Sequence, residues 1–252
     1  MTTGRYLFAV VRGLDRDQLG GVTGLRGAPL VAIGQSGLDA VVCDVDLDEF
    51  GEDALRANLE DLAWLEEVAR RHNDVVWALA ERATVAPMRL VTICADDASV
   101  RHRVAQAEQA LNVALDRVEG RSEWSLKVFG TPAAEPEPAV AGSDVTSGAA
   151  YLKLKREAAD RRRNTQADTA RLAEEVYAVA AGAAVAGRRL PVQDPSLAAR
   201  PEPMVLNAAL LVSNDEAQAF GEVVRDSAES RPGVTIELQG PWPPYSFAVL
   251  ES

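Results

Sequence analysis

Little in this chain can support covalent, redox or metal chemistry. Its 252 residues hold two cysteines, Cys43 and Cys94, two histidines, His72 and His102, and three methionines. A zinc site needs ligands clustered at short spacing, and these four side chains are scattered. Two thiols, each inside an apolar stretch, fit a reducing compartment better than a disulfide framework. No run approaches the roughly 20 apolar residues of a membrane-spanning helix. No long apolar region or cleavage site precedes the first strand-like segment. The expectation is a cytoplasmic protein with no cofactor, no metal and no membrane segment.

Cations are the minority charge. Asp+Glu number 38 against 26 Lys+Arg, a formal net charge of −12. Such a surface repels polyphosphate and anionic lipid, so general nucleic-acid or membrane-surface binding is disfavoured. What is present, 47% hydrophobic and 25% charged residues, is the composition of a globular chain long enough to bury a core.

Catalytic motifs are missing as well. The glycine-rich stretch from Gly13 to Gly27 follows a strand but has neither G-x-G-x-x-G spacing nor a G-K-[ST] ending, so it specifies no phosphate cradle. No serine sits in G-x-S-x-G, and neither cysteine opens an evident helix. Asp44, Asp46, Asp48 and Glu49 alternate in CDVDLDEF without the glycine and terminal glutamate of a calcium loop. They read as an acidic strand end protecting a sheet edge. His72 falls at an expected helix junction in ARRHNDVV, and His102 lies between Arg101 and Arg103 on a solvated face. An enzyme built on Asp44, Asp46, Asp48 and His72 would need those side chains within hydrogen-bond reach of one another. The expectation is a protein that is not an enzyme.

The clearest internal boundary is the Pro/Ala/Glu-rich loop 131–149, which cannot build a packed element. It suggests two domains, residues 1–122 and 123–252, the loop lying within the second. Tyr6–Val11 (YLFAVV) is a strand buried on both faces. Leu30–Gln35 and Leu38–Val45 form a hairpin across Ser36-Gly37. From Glu52 the period becomes helical through Leu55, Leu59, Leu62, Leu65 and Ala69, and a second helix carries Val75, Val76 and Leu79. Pro87–Cys94 reads as a strand, Asp96–Glu119 as one long helix, and Glu123–Phe129 as a strand.

Beyond the loop, residues 150–187 read as a helix stopped by Gly187 and Pro191, and Met204–Val212 as a strand. Ser213-Asn214-Asp215-Glu216 has the spacing of a capping box. Val234–Leu238 and Tyr245–Leu250 suggest a closing hairpin around the proline corner. The second half thus reads β-α-β-α-β-β. The fold class is α+β, with ferredoxin-like or modified ferredoxin-like antiparallel sheets and helices packed on one face.

Two features suit a binding surface. KLKREAADRRR (Lys153–Arg163) concentrates cations in an acidic chain; Lys153, Lys155, Arg156, Arg161 and Arg162 are its candidate contacts. Part of that charge pairs internally at i,i+4 spacing. The stretch admits a solvated helix face, a docking surface for an acidic protein or, least in keeping with the net charge, a nucleic-acid site. Near the C-terminus, GPWPPYSF (Gly240–Phe247) is a stiff corner, since three prolines fix φ and remove donors. Trp242 within it either sets the hairpin closing the second domain or, if exposed, anchors a partner.

GPWPPYSF resembles the ending of the gas vesicle protein L/F family. So do YLFAVVRG (Tyr6–Gly13), LAWLEEVARRHNDVVWAL (Leu62–Leu79), APMRL (Ala86–Leu90), EWSLKVFG (Glu123–Gly130) and GAAYLKLKR (Gly148–Arg156), in order along nearly the whole chain. The loop 131–149 departs from the pattern. The resemblance implies an accessory or minor structural gas vesicle protein that is not an enzyme. It also implies assistance to assembly, by binding the hydrophobic shell protein and other gas vesicle accessory proteins. The alternative is a small-molecule-binding tandem of ferredoxin-like domains.

Overall fold

A computed structural model describes residues 2–130, 148–192 and 202–248. The chain divides into two compact units, Met1–Glu123 together with Pro241–Ser252, and Trp124–Gly240.

The first unit is organised by β1 (Thr3–Arg12), whose residues from Tyr6 to Val11 are all buried. β2 (Val31–Gln35) and β3 (Leu38–Asp46) form the expected hairpin. Ser36 and Gly37 take φ of 55° and 76°, the paired positive values of a tight turn whose twist matches its strands. β3 pairs antiparallel with β1, and Phe8 is the extra residue of a bulge where the register shifts between Leu7 and Ala9. After α1 (Leu47–Phe50) and α2 (Glu52–Asn58), α3 (Leu62–Ala80) runs unbroken for 19 residues. The helix break therefore falls at residues 59–61 instead of before Val75. The Asp61 carboxylate caps the new helix by accepting from the Ala63 and Trp64 amides.

The expected strand Pro87–Cys94 is interrupted. β4 (Thr84–Pro87) and β5 (Ile93–Cys94) both pair with the free edge of β1, giving the order β2-β3-β1-β4 with β5 further along β1. Between them the chain bulges around the Tyr6 hydroxyl, and Val91 adopts a φ of 61°. α4 (Asp97–Gln106) and α5 (Glu108–Val118) replace the single helix expected, split at Ala107 where φ and ψ are −98° and 6°.

Tyr6, Phe8, Val41, Cys43 and Val45 pack with Trp64, Val68, Val75, Val76 and Leu79 of α3. Leu7, Val10, Ala40 and Val42, equally buried, alternate to the other face, which the buried Val100, Val104, Leu111 and Leu115 of α4 and α5 cover. Helices on both faces explain why YLFAVV is apolar without alternation.

The second unit runs β6 (Arg121–Gly130), α6 (Gly148–Gly182), β7 (Ala186–Arg189), β8 (Met204–Ser213), α7 (Ala217–Glu229) and β9 (Val234–Trp242). Its sheet order is β7-β8-β6-β9. Element order β-α-β-β-α-β with this strand order is ferredoxin-like, and α6 and α7 share one core with the sheet through Ala173, Val176, Ala180, Phe220 and Val224.

Three local expectations fail in this unit. Gly187 lies inside β7, antiparallel to β8 with Gly187 opposite Leu210, and does not end the helix. A Cβ there would meet the Tyr177 hydroxyl at 3.0 Å and Leu210 at 3.2 Å, so close approach is what selects glycine. Ser213 makes no side-chain cap, because a turn of 3-10 helix, Asn214–Glu216, precedes α7. The terminal hairpin is absent from the described residues: Tyr245, Phe247 and Ala248 donate backbone hydrogen bonds to the Pro243 and Pro244 carbonyls at 2.8–3.2 Å, closing a tight turn. The rest of that expected strand, residues 249–252, lies outside the described residues, as does the loop segment 131–147.

Candidate functional site

The C-terminal segment is built into the first unit along α3. Trp242, 40% exposed, meets Trp77, 36% exposed, edge to face with ring centroids 5.3 Å apart. One helical turn away, the Tyr245 hydroxyl donates to Asn73 Oδ1 at 2.8 Å. Ser246 gives both its amide and its hydroxyl to the Glu123 carboxylate, each at 2.7 Å. Pro243, Pro244, Phe247 and Ala248 are buried. The proline corner is therefore a docked strap that leaves one aromatic edge in solvent.

Beneath it lies His72, 2% exposed and mid-helix, not at a junction. Its Nδ1 sits 3.0 Å from the Tyr6 hydroxyl, which accepts from the Val91 amide at 3.1 Å. With that acceptor position filled, Tyr6 donates to His72 Nδ1, and the imidazole holds its own proton on Nε2. Among the described residues Nε2 is buried without a hydrogen-bond partner. Burial pushes the imidazole down to about 4, opposed by the nearby Met88 backbone. Burial likewise raises the Tyr6 and Tyr245 hydroxyls above the ordinary tyrosine range. A neutral, enclosed imidazole flanked by Tyr6, Phe8 and Tyr245 rings is core, not an acid–base centre.

The carboxylates do not converge on it. Asp44 pairs with Arg5 across β1 and β3, and Asp46 caps α1 through the Asp48 amide at 2.9 Å. β2 pairs with β3 only as far as Val42, so Asp44 and Asp46 lie on the stretch of β3 that extends past β2 and pairs with β1 alone. Cys43 and Cys94 are free and buried, and burial raises Cys43 to about 11, far from a reactive thiolate. Among the described residues no group of His, Cys, Asp and Glu could hold a metal ion. The glycine-rich stretch is pinned by Leu19 and Leu25, both buried, and its surface depression is open.

The cationic stretch occupies the first half of α6, in the other unit from Trp242. Over 35 residues, α6 is about 52 Å long at 1.5 Å per residue. Among the described residues its buried positions begin at Thr169, and between Lys153 and Asp168 every described side chain is exposed except the half-buried Ala158. Lys153, Lys155, Arg156 and Arg161 make no ion pair among the described residues, whereas Arg163 pairs with Asp160 at 2.8 Å. The Arg162 side chain lies outside the described residues. At about 100° per residue, Lys153 and Arg156 share a face, while Lys155 continues the line of the buried Ala173 and Ala180. The cations therefore surround the helix and do not form one stripe. Sequence spacing alone would have shown this, but only once the helix was known to continue without a break.

Residues 4–249 match the family described as gas vesicle synthesis protein GvpL/GvpF. The chain is 38% identical to gas vesicle protein L of Streptomyces sp. (strain CB03234), over 98% of this chain and 94% of that protein. It is 28% identical to gas vesicle protein L2 of Halobacterium salinarum (strain ATCC 700922 / JCM 11081 / NRC-1), over 98% and 92%. In fold it is similar to the crystal structure of gas vesicle protein GvpF from Anabaena sp. PCC7120, with a TM-score of 0.67, 16% identity, and 99% and 98% of the two chains covered. GvpF from Microcystis aeruginosa gives 0.63 at 17% identity, covering 98% and 99%. With a match along nearly its whole length, the chain belongs to the gas vesicle GvpL/GvpF family.

Proposed function

We propose that this protein assists gas vesicle assembly in the cytoplasm, binding the hydrophobic shell protein and other gas vesicle accessory proteins without catalysing a reaction. The observation that carries the reading is the family match over residues 4–249. The physics of the surface supports it. A subunit that lines a gas space presents an apolar face that aggregates before assembly, and an acidic partner of net charge −12 keeps such a complex dispersed. No described helix is long and apolar enough to cross a membrane, which fits a role at a protein shell. The contacts assigned to partners are the exposed cations Lys153, Lys155, Arg156 and Arg161 with Arg162, and Trp242 seated on Trp77.

Co-purification tests this directly. Tagged wild type is expressed with the shell protein and the other accessory proteins, beside Lys153→Glu/Lys155→Glu/Arg156→Glu and Trp242→Ala. Wild type is expected to retain a partner and each variant to retain less. A wild type that captures neither the shell protein nor an accessory protein under assembly conditions refutes the reading.

A further inference from the structure

The cationic half of α6 has a complementary surface within the same sequence. From Lys153 to Arg163 there are six cations and two carboxylates, Glu157 and Asp160, and Asp160 is held by Arg163. In the first unit, residues 44–61 hold eight carboxylates and a single cation, Arg56. Three of those acids are matched, Asp44 with Arg5, Glu49 with Arg26 and Glu52 with Arg56, and Asp46 and Asp61 cap helices. Asp48, Asp53 and Glu60 are exposed and form no ion pair among the described residues. Beside them Leu59 and Leu62 stand 47% and 79% exposed. Apolar side chains bordered by charge have the make-up of an interface, an apolar centre within a polar rim.

We propose that the cationic half of α6 docks onto the acidic, leucine-bearing surface of residues 44–62 in a second copy of this chain, so that the protein self-associates head to tail. Opposite charge on the two surfaces selects the occupant and suppresses the like-to-like pairing of two acidic faces. Because the two surfaces differ, the contact is heterologous and propagates unless the rotation between copies closes a ring. The inference shares its cationic arm with the partner contacts proposed above, but it needs only the purified protein, so its failure leaves that role standing.

Sedimentation velocity on the full chain tests it over a roughly hundredfold concentration range. The mean mass is expected to rise with concentration at about 0.1 M salt. Association should weaken at least tenfold at about 1 M, where the screening length falls from about 10 to about 3 Å. Lys153→Glu/Lys155→Glu/Arg156→Glu and Asp48→Lys/Asp53→Lys/Glu60→Lys should each be monomeric alone, with wild-type circular dichroism. Their mixture should associate again, because each then offers the other an opposite charge. Should a triple variant fold poorly, Leu62→Ser perturbs the same surface at one exposed side chain and is expected to weaken association at least threefold. A wild type that stays monomeric throughout, association indifferent to salt, or association unchanged by Leu62→Ser overturns the proposal. So does a mixture of folded variants that stays apart; association only with another acidic protein would reassign the arm to that partner.

Discussion

Acid should destabilise the first unit through His72, by an amount that can be worked out. The imidazole is 2% exposed and its folded value is pushed down to about 4, against roughly 6.5 in an unfolded chain. The unfolded state therefore binds a proton that the folded state refuses between these two values, and stability falls as pH drops through that window. At 1.36 kcal/mol for each unit of pH, the full loss is about 3 kcal/mol below pH 4, and about 2 kcal/mol is already gone at pH 5. Above pH 6.5 both states carry neutral imidazole and the contribution is flat. The structural cause is specific. A protonated His72 would donate from Nδ1 to a Tyr6 hydroxyl that already accepts from Val91, and the tyrosine proton would lose its acceptor.

Urea unfolding of wild type and His72→Phe, measured from pH 7.5 to pH 4.5, isolates this residue from the carboxylates, which titrate in both proteins. At pH 7.5 the variant should be less stable by about 1–2 kcal/mol, since Tyr6 loses a buried acceptor. The two curves should then converge as pH falls and cross between about pH 6 and pH 5. Parallel curves across the range, or a directly titrated His72 value near 6.5, would refute the reasoning.

Four further outcomes are expected. Trp77→Ala and Trp242→Ala should each cost about 1–2 kcal/mol, less than the 3–5 of a fully buried ring, with a coupling of about 0.5–1.5 kcal/mol in a double-mutant cycle; additive effects would mean the rings do not pack. Glu123→Gln keeps the shape but removes the charge that accepts twice from Ser246, and should cost about 1–2 kcal/mol by denaturant unfolding. Gly187→Val forces a side chain against Tyr177 and Leu210 and should destabilise the second unit by about 1–3 kcal/mol, read by hydrogen exchange in β7 and β8. Lys153→Glu/Lys155→Glu/Arg156→Glu alters only exposed groups, so its unfolding free energy should stay within about 0.5 kcal/mol per substitution while partner capture falls.

How much of this was legible in the sequence depended on whether local chemistry or tertiary packing decided each residue. YLFAVV and the Ser36-Gly37 turn were readable because burial on both faces and paired positive φ leave direct marks. The ferredoxin-like class was readable, but the order β-α-β-α-β-β was not right: it lacked β7 (Ala186–Arg189) and ended on a strand at Tyr245 where the described residues form a turn. Gly187 carries the mark of a helix stop, and only the Tyr177 hydroxyl over it shows why glycine sits in a strand. Asp61 and the Asn73-Asp74 pair look equally able to break a helix. Asp61 does so by capping, whereas Asn73 faces outward and serves Tyr245. The cations of α6 could be counted from sequence, but their spread around the helix required its course. Trp242 could be named as closing a hairpin or meeting a partner; its seat on Trp77 could not, because that contact spans the length of the chain.

The hydrogen bond from Tyr245 to Asn73 joins residues 172 apart in sequence, so the surface of the first unit is completed by a segment made long after the rest of it. The first unit is synthesised first but holds Tyr245 against its core and keeps Phe247 and Ala248 buried. Its α3 surface therefore stays uncovered until residues 242–248 have been made, whereas Trp124–Gly240 precedes them along the chain. A chain cut before Tyr245 lacks the partner of Asn73 and the buried Phe247 and Ala248, so that part of the first unit stays uncovered.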